Sequence, residues 1–199
     1  MSVTAVRSVA SNARRDQIVA ATIDVIAEVG YARASFARIA EHASLSSTRL
    51  ISYHFAGRED LMAAVAEHVI NSISDYMTQR MQGQQTATAM LRAYIEGTVE
   101  FIASHRAHMK ALMAIFLAGA MLYDASDEEQ VVSHVENILR EGQTTGEFRD
   151  FDVTVMGTVV QRAVDGLPML LDLRPDLDCA AYGRELVTMF DLATRREQR

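Results

Sequence analysis

The chain has 199 residues, 49% of them hydrophobic, with two prolines and a formal net charge of −7. That length holds a sizeable core, and scarce proline with plentiful alanine and methionine favours helices over strands. No apolar run approaches the ~18 residues that span a bilayer, the N-terminus lacks a secretory signal's apolar core, and a lone cysteine, Cys179, excludes an internal disulfide, so a cytoplasmic protein with no membrane partner is expected.

The acidity is unevenly spread. Residues 1–60 carry seven arginines against six carboxylates, whereas residues 61–199 carry 12 basic and 20 acidic side chains. Residues 1–11 read as a flexible tail. Arg7, Arg14 and Arg15 form either a solvated cluster or an arm that touches phosphates or the minor groove. The segment RRDQIVAATIDVIAEVGY places Ile18, Thr22, Val25, Ile26 and Val29 on one helical face, and Gly30 suits the left-handed residue just past a helix end.

Two short helices joined by a tight turn are expected between Ser35 and Phe55. Phe36, Ile39, Ala40 and Ala43 give the first an apolar face, Ser44 lies in the turn, and Ser46 is the expected N-cap of the second. Leu50 is expected on the buried side of that second helix, continued by Tyr53 or Phe55. Ser47, Thr48, Arg49 and Ser52 then point outward. A short exposed helix of hydroxyls and an arginine suits a DNA major groove, where hydroxyls reach phosphates or bases and arginine bonds guanine in bidentate fashion. The same helix pair also occurs in all-α proteins that bind no nucleic acid.

Gly57 breaks the chain, and Arg58 opens a long helix whose face is Leu61, Val65, Val69, Ile73, Tyr76 and Met77, ending around Gly83. A helix from about Thr86 to Ser104 follows. The almost wholly apolar run HMKALMAIFLAGAMLYD predicts a helix buried on most sides. Further helices are expected at about Ser126–Glu141, Asp152–Leu173 and Pro175–Thr194, the last two separated by Arg174-Pro175.

Methionines and aromatics in this body serve either as ordinary core or as the lining of a variable apolar site. The candidate ligand contacts are Tyr94, Phe101, Met109, Met113, Phe116, Leu117 and Met121. His105 and His108, three apart, could share a metal with His134 or a carboxylate completing the set, but without a fixed third ligand surface histidines are the better reading. Asp124, Asp127, Glu128 and Glu129 fit a loop and the first turn of a helix, where negative charge favours the dipole. Phosphate loops, nucleophile elbows and cysteine-based zinc patterns are missing from the sequence. No enzyme activity, metal or other cofactor is expected.

Several anchors fall in a familiar order: Arg15, Ile18 and Ala21; Gly30-Tyr31; Ile39-Ala40; Leu45-Ser46; Tyr53-His54-Phe55; Arg58-Glu59-Asp60-Leu61. Over residues 14–70 the chain resembles the DNA-binding domain of TetR-type transcriptional regulators. It departs from the usual pattern in three places. Ser44 stands where the family usually has glycine, and Arg58 where it usually has lysine. One extra residue between Leu45-Ser46 and Phe55 shifts the base-reading positions by up to one place within residues 47–53.

The resemblance implies an all-α fold. An N-terminal three-helix helix-turn-helix domain (residues 12–60) would precede a larger helical effector-binding and dimerisation domain (61–199). It implies DNA contacts from Ser35, Arg38, Ser46, Ser47, Thr48, Arg49, Ser52, Tyr53, His54 and Arg58. It further implies a homodimer through the last two helices, a palindromic double-stranded operator, and a repressor released by an apolar or aromatic small molecule that shifts the long helix starting near Arg58. The alternative is an α-helical small-molecule binder or enzyme that does not touch DNA.

Overall fold

The computed structural model of the chain describes residues 9–120 and 125–196. Arg7, Met121, Tyr123 and Asp124 lie outside the described residues, as do the side chains of Asp127, Glu128 and Glu129. Ten α-helices are described: α1 (Val9–Val29), α2 (Phe36–His42), α3 (Arg49–His54), α4 (Arg58–Met81), α5 (Ala87–Ser104), α6 (Arg106–Leu117), α7 (Ala125–Thr145), α8 (Val153–Asp165), α9 (Leu167–Leu173) and α10 (Cys179–Thr194), with a 3-10 turn at Tyr31–Arg33. The fold is all-α; among the described residues the one extended pairing is an isolated bridge between Phe148 and Arg195. No described helix is long and apolar enough to cross a membrane.

Two compact units divide the chain. One runs to Asn71 and takes in the segment opening at Ala107; the other comprises Ser72–Arg106 and the chain from α7 onward. In the first, α1 buries Ile18, Thr22, Val25 and Ile26 as the periodicity predicts, and Gly30 turns the chain out of the helix at φ 83°. Thr22 is satisfied within its own helix, its hydroxyl donating to the Ile18 carbonyl at 2.7 Å.

In the second unit α5 packs against α10, α7 and α8. Leu91, Ile95 and Phe101 of α5, Val135 and Leu139 of α7, Val160 and Val164 of α8, and Phe190 of α10 are buried there. Each such side chain contributes about 1.5–3 kcal/mol when taken fully out of water. Thr86 caps α5 by accepting from Ala89 N at 3.1 Å. Glu147 reaches the same helix start, accepting from Ala87 N at 3.0 Å and from Thr88 N at 3.1 Å. On the second half of α4, Arg80 pairs with Glu100 at 3.1 Å and with Glu96 at 3.5 Å.

Three expectations for the body change. The run Asp152–Leu173 is two helices, because Pro168 lacks the N–H that a continuous helix would need and its ring crowds the carbonyl four residues back. The last helix opens at Cys179, four residues later than expected, where Asp178 accepts from Ala181 N at 2.9 Å and so fixes the start. The apolar run after His105 is not buried on most sides: α6 buries Ala111 and Ile115, one turn apart, while Phe116 and Leu117 are 42% and 70% exposed. Met109, Leu112 and Met113 are half-buried, and Gly119 at φ 63° follows the helix end at Leu117.

Candidate nucleic-acid interface

α1 is the platform on which the two short helices sit. Gln17 donates from Nε2 to the Ala43 carbonyl at 2.8 Å, fixing the end of α2. His42 on α2 lies 3.4 Å from the Asp24 carboxylate on α1. Ile39, Ala40 and Ala43 are buried and Phe36 is half-buried, so the predicted face of α2 is the one that packs. Ser35 caps α2, accepting from Arg38 N at 3.4 Å. The chain then reverses at Ser44, which adopts φ 52°.

α3 starts later than the sequence suggests. Ser46 does not cap it. The helix opens at Arg49, and the Ser47 hydroxyl accepts from Arg49 N at 3.1 Å. This later start rotates the buried side by one residue. Ile51 is fully buried, Leu50 is half-buried, and Phe55 rather than Tyr53 continues the packed side. Tyr53 is 79% exposed and meets the His54 ring edge-on at 5.1 Å.

Of the ten candidate DNA contacts, Ser35, Arg38, Ser46, Ser47, Thr48, Arg49, Ser52 and Tyr53 are exposed, and His54 and Arg58 are half-buried. The exposed face therefore combines hydroxyls, two guanidinium groups and one phenol. Among the described residues, the Arg38 and Arg49 side chains have no hydrogen-bond or ion-pair partner and are left available for an anion or a base edge. The other described arginines of this unit are engaged: Arg14 with Gln17 at 2.7 Å, Arg33 with the Val29 carbonyl at 2.8 Å, and Arg15 over the Phe55 ring at 5.0 Å.

Arg58 is turned into the domain. Its two terminal nitrogens donate to the carbonyls of Ala34 and Tyr31, each at 2.5 Å, and its guanidinium lies 4.5 Å from the Tyr31 ring centroid. Nearby, Asp60 accepts from Ala56 N at 2.8 Å. Gln17, Tyr31 and Asp60 thus frame the two short helices. Periodicity did not single them out for this, because their partners lie 26, 27 and four residues away.

The candidate ligand contacts fall in both units. Tyr94 and Phe101 belong to the second unit, whereas Met109, Met113, Phe116 and Leu117 belong to the first. Phe101 is buried and stacks on His105 at 4.2 Å. Tyr94 donates to Gln161 Oε1 at 2.5 Å, and Gln161 Nε2 donates to Asp165 at 2.7 Å. Burial, and then the Asp165 charge, push the Tyr94 phenol well above its usual range, so it remains a neutral donor. A cavity of ≈ 10 Å³, room for about one water, lies between Leu91 and Ile95 of α5 and Phe190 of α10; none of the ligand candidates lines it. Among the described residues no three metal-ligating side chains come together, and His108 is instead neighboured by His68 at 6.1 Å.

Residues 18–65 match the family described as bacterial regulatory proteins, tetR family. The HTH-type transcriptional regulator BetI 1 of Chromohalobacter salexigens is 31% identical over 104 residues, which are 52% of this chain and 51% of that protein. The chain thus spans about half the length of the curated relatives it matches. A Saccharomonospora viridis structure in complex with choline superposes with a TM-score of 0.82 at 18% identity, covering 94% of this chain and 100% of that one. AibR in complex with isovaleryl coenzyme A and operator DNA gives a TM-score of 0.74 at 18% identity, covering 88% and 97%. These likenesses in structure extend the fold assignment to both units.

Proposed function

We infer, from an N-terminal domain that belongs to the tetR family of bacterial regulatory proteins, that this chain is a ligand-responsive, sequence-specific DNA-binding transcriptional regulator acting in the cytoplasm. The observation that carries the inference is the face of α2 and α3. Its apolar residues are inside, while Arg38, Ser47, Thr48, Arg49, Ser52 and Tyr53 are all exposed on adjoining short helices. α3 is six residues long and begins with Arg49, and residues at the start of a recognition helix are the ones that reach base edges.

With few cations on one reading face, a single copy would hold DNA weakly. A two-fold homodimer doubles the phosphate contacts and matches a palindromic operator. Support for dimerisation comes from apolar side chains left uncovered on the last helices: Val155 and Val159 on α8, Met169 and Leu173 on α9, Met189 and Leu192 on α10 are each more than half exposed. The small-molecule site is assigned to the body around α5 and α8, where Gln161 is 5% exposed and bridges Tyr94 and Asp165. A buried polar chain across two helices is costly unless fully satisfied, and it is a fitting anchor for an otherwise apolar effector. The chain acts as a repressor, released from its operator when the effector binds.

Fluorescence anisotropy against the DNA flanking its own gene, with excess random duplex and several salt concentrations, tests this reading. Binding to one segment that survives the competitor is expected. Choline and isovaleryl coenzyme A, each bound by a protein of the same fold, are the first probes for release. Binding shared equally by random DNA would contradict a sequence-specific regulator.

A further inference from the structure

We propose that Arg58 is a positioning residue that sets the pose of the α2–α3 face from inside the domain and makes no phosphate contact. The inference rests on the reading of that face as DNA-binding. Arg58 is the first residue of α4, and its side chain is half-buried. It spends two N–H donors on the carbonyls of Tyr31 and Ala34, and one face of its planar group on the Tyr31 ring. Ala34 is fully buried, and the next residue, Ser35, caps α2. The guanidinium therefore anchors the chain immediately before α2. Two residues further along α4, Asp60 holds Ala56 N, immediately after the Phe55 that ends α3. The entry to α2 and the exit from α3 are pinned to one helical turn.

This arrangement needs arginine in particular. A planar fork can serve two carbonyls at once while stacking on a ring, whereas a lysine ammonium is a single point charge with no face. At this position lysine preserves charge but not geometry, which separates positioning from phosphate binding.

The test compares wild type, Arg58→Lys and Arg58→Gln by anisotropy on operator-bearing and random duplexes over a range of salt, with thermal melts alongside. In Arg58→Lys the operator affinity should fall about tenfold or more, the scale of one lost base pair. Random-duplex affinity and the slope of log affinity against log salt should stay at wild-type values. Amide hydrogen exchange over residues 35–43 of free Arg58→Lys should quicken, a readout independent of DNA and usable if Arg58→Gln fails to fold. Three results would overturn the proposal: a lysine variant that binds like wild type while glutamine weakens both duplexes and flattens the slope by about 0.9 per phosphate lost; variants that melt earlier yet keep the wild-type ratio of operator to random binding; or unchanged exchange over residues 35–43. If wild type itself shows no operator preference, the DNA-binding reading falls and takes the proposal with it.

Discussion

Ser44 holds φ 52° at the hinge between α2 and α3, the one described non-glycine residue with a positive φ. A Cβ in the left-handed region costs about 1–2 kcal/mol, of which glycine recovers part while adding freedom to the unfolded chain. Ser44→Gly is expected to raise stability by about 0.5–1 kcal/mol, read as a higher urea midpoint at unchanged slope; a lower midpoint would mean that the serine side chain compensates its own strain. Arg49, exposed and first in α3, is the residue on which the proposed sequence readout would most depend. Arg49→Ala should weaken operator binding by about 1–3 kcal/mol and relax discrimination at one base if it bonds a guanine. A uniform loss across sequences, with a salt slope smaller by about one, would make it a phosphate contact instead. An unchanged affinity removes it from the interface.

The helix ends show most plainly what could be foreseen from sequence. Gly30 and Gly83, at φ 83° and 80°, and the Thr86 cap mark boundaries that local chemistry dictates, so the ends of α1 and α4 and the start of α5 were legible, whereas α1 opens at Val9, inside the run 1–11 read as a flexible tail. The break at Gly166–Pro168 was not, since the apolar period continues across it and proline is tolerated in a first turn. Nor was the late start of α3, where three consecutive hydroxyl residues, Ser46, Ser47 and Thr48, offer alternative caps and only packing of Ile51 selects one register. Arg58 was legible as a charge at the start of α4 but not as a fork turned inward, because its acceptors are carbonyls 24 and 27 residues earlier. Glu147 is another long-range device. Burial raises its pKa, but donors from Thr88 N, Ala87 N and the Thr88 and Thr145 hydroxyls outweigh that and lower it overall. A depressed carboxylate stabilises fully above its unfolded value, near 4.5, and loses that contribution as pH falls through the folded value. Glu147→Gln should therefore lower the melting temperature at pH 7 and shrink the wild-type loss of stability below pH 4.5. An acid limb identical to wild type would show that the cap does not couple to folding.

At the scale of the whole molecule, acidity resides in residues 61–199 and the uncompensated arginines on the α2–α3 face, so the proposed association with DNA should be oriented and salt-dependent. The proposed function also calls for a second copy. Val159 is 51% exposed on α8, so Val159→Asp leaves the single chain's core intact while placing a carboxylate in the apolar surface assigned to the dimer. It should shift the mass in light scattering from dimer to monomer and abolish operator binding with little change in melting temperature. A dimer that persists would move the interface elsewhere. The central claim, that a symmetric pair of α3 helices reads DNA sequence, is tested most directly by selecting binding sites for the full chain from a randomised duplex pool. The account predicts an enriched inverted repeat whose half-sites lie about one helical turn, or a whole multiple of it, apart. A pool that stays random after repeated rounds, with the protein folded and dimeric, would contradict it.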